Sequence, residues 1–320
     1  IPIRGEYYGS SIRKDATTNS GNYIVKELRA PLGYYVNEEP MEVTFTYDGQ
    51  AVMVLDNTCS NKPTEMWVSK RDLTNDEELP GATLAIKDMD GNTVTTWVST
   101  GEPHRVTGLH FGESYTLTEI RAADGYAMAD DITFRLIQKT DEGGNPLEEC
   151  EVYYLTTKNI LFWKWDDWKL LDDATVIMRD DITKVQISKK DLTTNEELPG
   201  AELTLTDEKG NEIDRWVSTD APHYMERLPA GKYTLTEVTA PDGYAIAERV
   251  EFEVLPTGEV QTFEMFDDTI KVKISKVDIT TNEELPGAEL VIKDKDGKKI
   301  DRWISTNELH YVEKMPAGDY

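Results

Sequence analysis

The sequence predicts an all-β protein built as a string of antiparallel β-sandwich modules of one kind. Three observations predict this. The first is self-similarity: VSKRDLTNDEELPGATL from Val68, ISKKDLTTNEELPGAEL from Ile187 and ISKVDITTNEELPGAEL from Ile274 are copies of one segment. The second is run length. Short stretches rich in Val, Ile, Thr and Tyr are separated by turn signals such as Asp90-Gly91, Lys209-Gly210 and Asp296-Gly297. The third is that no long segment has helical period.

A sequence repeating on this scale is an array of equivalent modules. Each copy runs on to a Trp-[Val/Ile]-Ser-Thr segment at Trp97, Trp216 or Trp303. Two of them continue to Tyr-Thr-Leu-Thr-Glu, ending at Glu119 and Glu237. These landmarks set the expected divisions. Residues 1–62 are the later part of one repeat, 63–181 and 182–268 are complete repeats, and 269–320 are the earlier part of another. The chain therefore reads as a piece of a longer protein. Asp180 and Lys189 are nine residues apart, as are Asp267 and Lys276. Joints this short predict a semi-rigid rod.

Strand residues alternate between faces. In the opening strand of a repeat one face carries Met66, Val68 and Lys70, or Val185, Ile187 and Lys189, or Val272, Ile274 and Lys276. In the later strand it carries Tyr115, Leu117 and Glu119, or Tyr233, Leu235 and Glu237, and in the first repeat Tyr23, Val25 and Glu27. A closing strand reads Val176, Met178, Asp180, or Phe263, Met265, Asp267. A lysine, a glutamate and an aspartate thus each follow apolar neighbours toward a core. Unpaired buried charges cost several kcal/mol, so the three must meet.

The second repeat is longer than the third, with an insertion at about 149–171. Leu161, Trp163 and Trp165 alternate there with Phe162, Lys164 and Asp166, which predicts a hairpin extending the sheet. Its aromatic residues either pack locally or form a patch (Trp163, Trp165, Trp168) for a host protein or glycan. Trp97, Trp216 and Trp303 are expected in core or edge packing, and His104, His223 and His310 in turns.

The bulk composition excludes several classes of function. Thirty-four Lys and Arg against 61 Asp and Glu give a net charge of −27, which disfavours nucleic acid and anionic membrane as partners. No run spans a bilayer, and no secretory signal is present. Cys59 and Cys150 make neither a disulfide framework nor a metal site, and the four histidines are scattered. No metal or cofactor is expected.

A Lys, a Glu and an Asp or Asn confined in an apolar core can react with one another. Desolvation favours neutral forms: an amine is then a nucleophile and a carboxylic acid or amide an electrophile. A neighbouring Glu can shuttle the protons. The product is an isopeptide bond, with loss of water or ammonia. Confinement supplies about 7–11 kcal/mol of the barrier. The alternative outcome is an unreacted ion pair that only fixes the fold.

The Lys-x-Asp strand, the Leu-Pro-Gly-Ala turn, the Tyr-Thr-Leu-Thr-Glu strand, the Ala-Pro-Asp-Gly-Tyr turn and the closing Asp or Asn together resemble the B-type repeats of Gram-positive collagen-binding adhesins. These are the SpaA-type, prealbumin-like domains of pilins and surface proteins. The resemblance covers nearly the whole chain outside the insertion. It implies nucleophiles at Lys70, Lys189 and Lys276, and proton-shuttling acids at Glu27, Glu119 and Glu237. It implies acceptors at Asn61, Asp180 and Asp267. Alternation with Met178 and Met265 favours Asp180 and Asp267 over Asp181 and Asp268. In the first repeat the spacing to Lys70 favours Asn61, whereas the distance from Glu27 favours Asn57, with Asp56 beside it. The implied protein is a stalk on an extracellular, cell-wall-anchored surface. Its modules contact neighbouring repeats, its distal regions contact host molecules, and its only reaction is a single intramolecular turnover.

Overall fold

The structure, a computed structural model, describes residues 21–37, 39–45, 58–160 and 163–320. The chain divides into two compact units: Ile1–Ala123 with Met128–Asp180, and Asp124–Ala127 with Asp181–Tyr320. The described residues are almost entirely strand, turn and loop, with one 3-10 turn at Asp172–Ala174.

The first unit contains β1 (Gly21–Val25), β2 (Met41–Phe45), β3 (Glu65–Asp72), β4 (Thr83–Lys87), β5 (Thr93–Val98), β6 (His104–Thr107), β7 (Ser114–Arg121), β8 (Ile132–Thr140), β9 (Pro146–Ile160), β10 (Trp163–Leu171) and β11 (Thr175–Asp180). β1 and β2 pair antiparallel. A three-stranded sheet has the order β11-β3-β6, and a six-stranded sheet the order β10-β9-β8-β7-β4-β5. Within the smaller sheet β11 runs parallel to β3, bringing the first and last strands of the second repeat side by side. The cluster between the sheets takes Met66, Val68 and Met178 from one side and Leu84, Leu117 and Phe134 from the other.

The second unit contains β12 (Lys184–Asp191), β13 (Glu202–Asp207), β14 (Glu212–Val217), β15 (His223–Glu226), β16 (Gly231–Thr239), β17 (Val250–Val254), β18 (Val260–Asp267), β19 (Lys271–Ile274), β20 (Glu289–Lys293), β21 (Lys299–Ile304) and β22 (His310–Glu313). Its third repeat repeats the plan, with sheets β15-β12-β18 and β14-β13-β16-β17, and β18 parallel to β12. Residues 269–320 form two antiparallel pairs, β19-β22 and β20-β21.

Alternation explains why these segments form strands. Val185, Ile187 and Lys189 are buried on one face of β12, and Tyr233, Leu235 and Glu237 on one face of β16. Burying one Leu or Phe side chain stabilises by about 1.5–3 kcal/mol, so a core of ten or more outweighs one ionic cluster. The Leu-Pro-Gly-Ala turn is held by the serine of the Trp-x-Ser segment. Ser218 Oγ donates to Leu198 O at 2.6 Å and accepts the Ala201 N–H at 2.9 Å. Ser99 does the same for Leu79 and Ala82. Leu79 and Leu198 in turn donate their N–H groups to Lys70 O and Lys189 O, at 2.7 Å each. The turn thereby fixes the backbone that carries each lysine.

Several expectations change. His104, His223 and His310 do not sit in turns. They open β6, β15 and β22 and stack on Trp97, Trp216 and Trp303, with ring centroids 4.0–4.3 Å apart. Each tryptophan lies on an edge strand of one sheet and each histidine on the edge strand of the facing sheet, so the stack closes the open side of the sandwich. A turn signal at Pro103 or Pro222 hid a strand beginning one residue later. Val25, expected to face a core, is 43% exposed, because among the described residues no lysine-bearing strand covers β1. The insertion does extend the sheet, as β9 and β10.

Candidate functional site: a buried lysine between two carboxylates

In the second repeat three elements from both sheets supply the site. Lys70 on β3 lies opposite Met178 on β11, and Asp180 is two residues further along the same face. Glu119 on β7 reaches across from the six-stranded sheet, where its strand partner is Leu84. Lys70 Nζ donates to Asp180 Oδ1 and stands 3.0 Å from Glu119 Oε1. Lys70, Glu119 and Asp180 are 2%, 3% and 1% exposed, so bulk water does not screen the cluster.

The third repeat reproduces it. Lys189 Nζ donates to Asp267 Oδ1 and lies 3.1 Å from Glu237 Oε1, again with near-complete burial. Each glutamate is oriented by a backbone donor ten residues later. The Ala129 N–H donates to Glu119 Oε2 at 2.8 Å, and the Ala247 N–H to Glu237 Oε2 at 2.7 Å. These alanines carry no side-chain signal, so sequence reasoning passed over them. Only the constant ten-residue spacing could have disclosed them.

The formal charges do not balance. One ammonium faces two carboxylates, and each glutamate lies beside both its lysine and its aspartate. Burial is the largest influence on both aspartates and raises them above the ordinary carboxylate range. The adjacent lysine opposes that rise, and the glutamate adds to it. A carboxyl raised in this way holds a proton more readily and is then an electrophile beside an amine.

In the first repeat Asn61 Nδ2 donates to Glu27 Oε2 at 2.6 Å and to Tyr35 O at 3.0 Å. The Asn37 N–H holds the same Glu27 oxygen at 2.7 Å. The structure therefore brings Asn61 to Glu27. Asn57 and Asp56 lie outside the described residues. Lys276 is half-buried; its backbone N–H donates to Glu284 Oε2 at 3.2 Å, and among the described residues no carboxylate pairs with its ammonium. Asp181 and Asp268 point elsewhere: Asp181 accepts from Lys184 at 2.7 Å and Asp268 from Lys271 at 3.3 Å.

The aromatic candidates separate. Trp168 is half-buried, with the Arg135 guanidinium 4.2 Å from its ring centroid. The side chains of Trp163 and Trp165 lie outside the described residues. Cys59 is exposed, Cys150 is buried, and both are free. Among the described residues no group of three or more His, Cys, Asp or Glu is placed to hold a metal ion, and no helix is long and apolar enough to cross a membrane.

A second polar cluster lies where the third repeat meets residues 269–320. Tyr244 Oη donates to Asp191 Oδ2 at 2.6 Å, and Lys314 Nζ lies 3.4 Å from the same oxygen. The tyrosine hydroxyl is the main reason that Asp191 is held down to about 2, helped by the N–H groups of Thr193 and Thr194 and by Lys314. The folded value lies below that of an unfolded aspartate, about 3.9. This stability is therefore present above the unfolded value and is lost as pH falls through the folded one. Tyr244→Phe is expected to lower the thermal midpoint of the second unit at neutral pH, by an amount equivalent to about 1–2 kcal/mol. The gap from the parent protein should narrow as pH falls below about 4 and close only below about pH 2, and a gap independent of pH would refute the assignment.

Geometry and sequence together define a β-sandwich repeat whose first and last strands are joined through a buried lysine and its carboxylates. The chain belongs to the family of SpaA prealbumin-like fold domains, whose model matches residues 64–145, 183–269 and 270–320, more than half of its length. Among solved structures, the Bacillus anthracis TIE protein is 20% identical with a TM-score of 0.40, over 94% of this chain and 52% of that one. This chain thus spans about half of that protein's length. The shaft pilin SpaA from Lactobacillus rhamnosus GG is 13% identical with a TM-score of 0.27, over 65% of this chain and 98% of the pilin. A C-terminal fragment of the pilus adhesin SpaC from the same organism is 16% identical with a TM-score of 0.35, over 65% and 97%. No curated protein matches the chain.

Proposed function

We propose that this chain is a stalk segment of an extracellular bacterial surface protein or pilus, and that its repeats cross-link themselves. The unit of function is the repeat, with 63–181 and 182–268 complete and 1–62 and 269–320 partial. One observation carries the reading: in both complete repeats a lysine with 2% exposure touches an aspartate on the neighbouring parallel strand, beside a glutamate. Membership in a family of pilin-type domains supports the structural role and the surface location.

The reaction balances within the site. A proton moves from Lys70 Nζ to the Asp180 carboxylate, leaving a neutral amine and a neutral acid. Nζ attacks Cγ, and Glu119 takes the second proton from nitrogen and passes it to the departing hydroxyl. A C–N bond forms, a C–O bond breaks, and one water leaves. Lys189, Glu237 and Asp267 follow the same course. With Asn61 as acceptor the leaving group is ammonia, and its nitrogen already contacts Glu27. The product stays in the chain, so each site turns over once and no external substrate is consumed.

Proteolysis and peptide mapping test this reading. Branched peptides joining Lys70 to Asp180 and Lys189 to Asp267 are expected. Recovery of both lysines in linear peptides alone would leave only a buried ion pair.

A further inference from the structure

The inserted hairpin of the second repeat has no part in that chemistry. We propose that it is a socket for Tyr35 of the first repeat, and that it holds the joint between these two repeats where a cationic clamp is used in the second unit. The proposal does not depend on the cross-links.

Three departures from the repeat pattern meet at this one place. The turn after each site glutamate reads Gly33-Tyr34-Tyr35, Gly125-Tyr126-Ala127 or Gly243-Tyr244-Ala245. Each of these glycines packs against a residue of the following repeat in the left-handed region: Gly108, Arg227 or Lys314, with φ of 82°, 59° and 53°. A Cβ on Gly243 would lie 2.7 Å from Lys314 O, and one on Gly33 2.5 Å from Gly108 O, so the approach is backbone to backbone. In the second unit the left-handed residue is a cation lying over the preceding tyrosine. Arg227 is 4.9 Å from the Tyr126 ring centroid, and Lys314 is 5.0 Å from that of Tyr244. In the first unit the position is Gly108, which has no side chain to carry a cation.

Tyr35 stands where the other turns carry alanine, and it is 2% exposed. It lies inside the core cluster of the second repeat, with its ring centroid 5.4 Å from that of Phe111. Its hydroxyl meets the Cys150 thiol on β9 and accepts the Glu65 N–H at 3.4 Å. Cys150 Sγ donates to Glu65 O at 3.2 Å. Lys62, at the end of the first repeat, lies over the Tyr35 ring and reaches Glu148 O on β9 at 3.5 Å. Burial raises both the hydroxyl and the thiol above their ordinary values, so each stays protonated. Glycine for a cation, tyrosine for alanine, and an added strand where that tyrosine lands are best explained as parts of one device. A buried aromatic ring with its hydroxyl satisfied, and with Lys62 of its own repeat over it, takes the place of the cation that the following repeat supplies as Arg227 or Lys314.

Two readouts on the full chain test this. The first is alkylation of Cys150 under native conditions by a small maleimide, with exposed Cys59 as the internal control. The second is hydrogen exchange at the Thr64 N–H, which bonds Gly33 O across the joint at 2.9 Å. In Tyr35→Ala both rates are expected to rise at least tenfold, with exchange in the third repeat unchanged. Tyr34→Ala should leave Cys150 protected. If Tyr35→Ala also loosens Leu117 on β7, in the same core cluster, Tyr35→Phe decides: it keeps the ring and should raise the Thr64 rate several-fold while Leu117 stays protected. Parent-like rates at both positions in Tyr35→Ala, or parent-like Thr64 exchange in the phenylalanine variant when that variant is needed, would overturn the proposal.

Discussion

Intact mass spectrometry of the denatured 320-residue chain is expected to return a mass two waters below that of its sequence, one for each complete repeat. Lys70→Ala should restore one water and Lys189→Ala the other, because each lysine has its own aspartate and the sites share no residue. Glu119→Ala should also restore one, although its lysine and aspartate remain. That variant separates a proton shuttle from a passive neighbour, since contact between Lys70 and Asp180 does not require the glutamate. Removing a lysine carries a second effect. It leaves two carboxylates in a site almost closed to water, and breaking such a pair costs about 3–5 kcal/mol. The lysine variants should therefore be less stable than the glutamate variant, although all lack one bond. A full mass for the parent protein would reduce the site to a structural ion pair.

Stretching the chain between its ends should show the same bonds as missing length. Lys70 and Asp180 are 110 residues apart in sequence, and Lys189 and Asp267 are 78 apart. A tied repeat cannot release these residues. Lys70→Ala should add a step of roughly 370 Å to the force–extension trace, and Lys189→Ala one of roughly 260 Å, at about 3.4 Å per extended residue. The tie also restricts the unfolded ensemble. Closing a loop of about 100 residues is worth about 4.7 kcal/mol in the chain-entropy model, without cysteines or an oxidising compartment. Steps of these lengths in the parent protein would show that the strands are held by hydrogen bonds alone.

Much of this was legible in the sequence, for a definite reason. Period-two alternation is a local property, so Val68-Ser69-Lys70 and Leu117-Thr118-Glu119 announce charges aimed at a core before any fold is known. The same alternation placed Asp180 and Asp267 ahead of Asp181 and Asp268. What stayed hidden depends on contacts far apart in the chain. That β11 would lie parallel to β3 is set by topology and not by either strand's residues. The backbone donors at Ala129 and Ala247 have no side-chain signature. Nothing local marks Tyr35 as an anchor, because its partners Phe111 and Cys150 are 76 and 115 positions away. The histidines were misplaced for a similar reason. Their stacking partners lie on the facing sheet, and at His104 and His223 a preceding proline dominates the local signal.

The side-by-side, parallel placement of β3 and β11 has one more consequence. Once Lys70 is joined to Asp180, a pull follows β3 for a few residues, crosses the bond and leaves along β11. Everything between becomes a side branch outside the covalent line of the pull. The added hairpin, β9 with β10, hangs on that branch. Segments can be lengthened, exchanged or decorated there without thinning the line that resists the pull. Strength and variability are thereby assigned to different stretches of the same repeat.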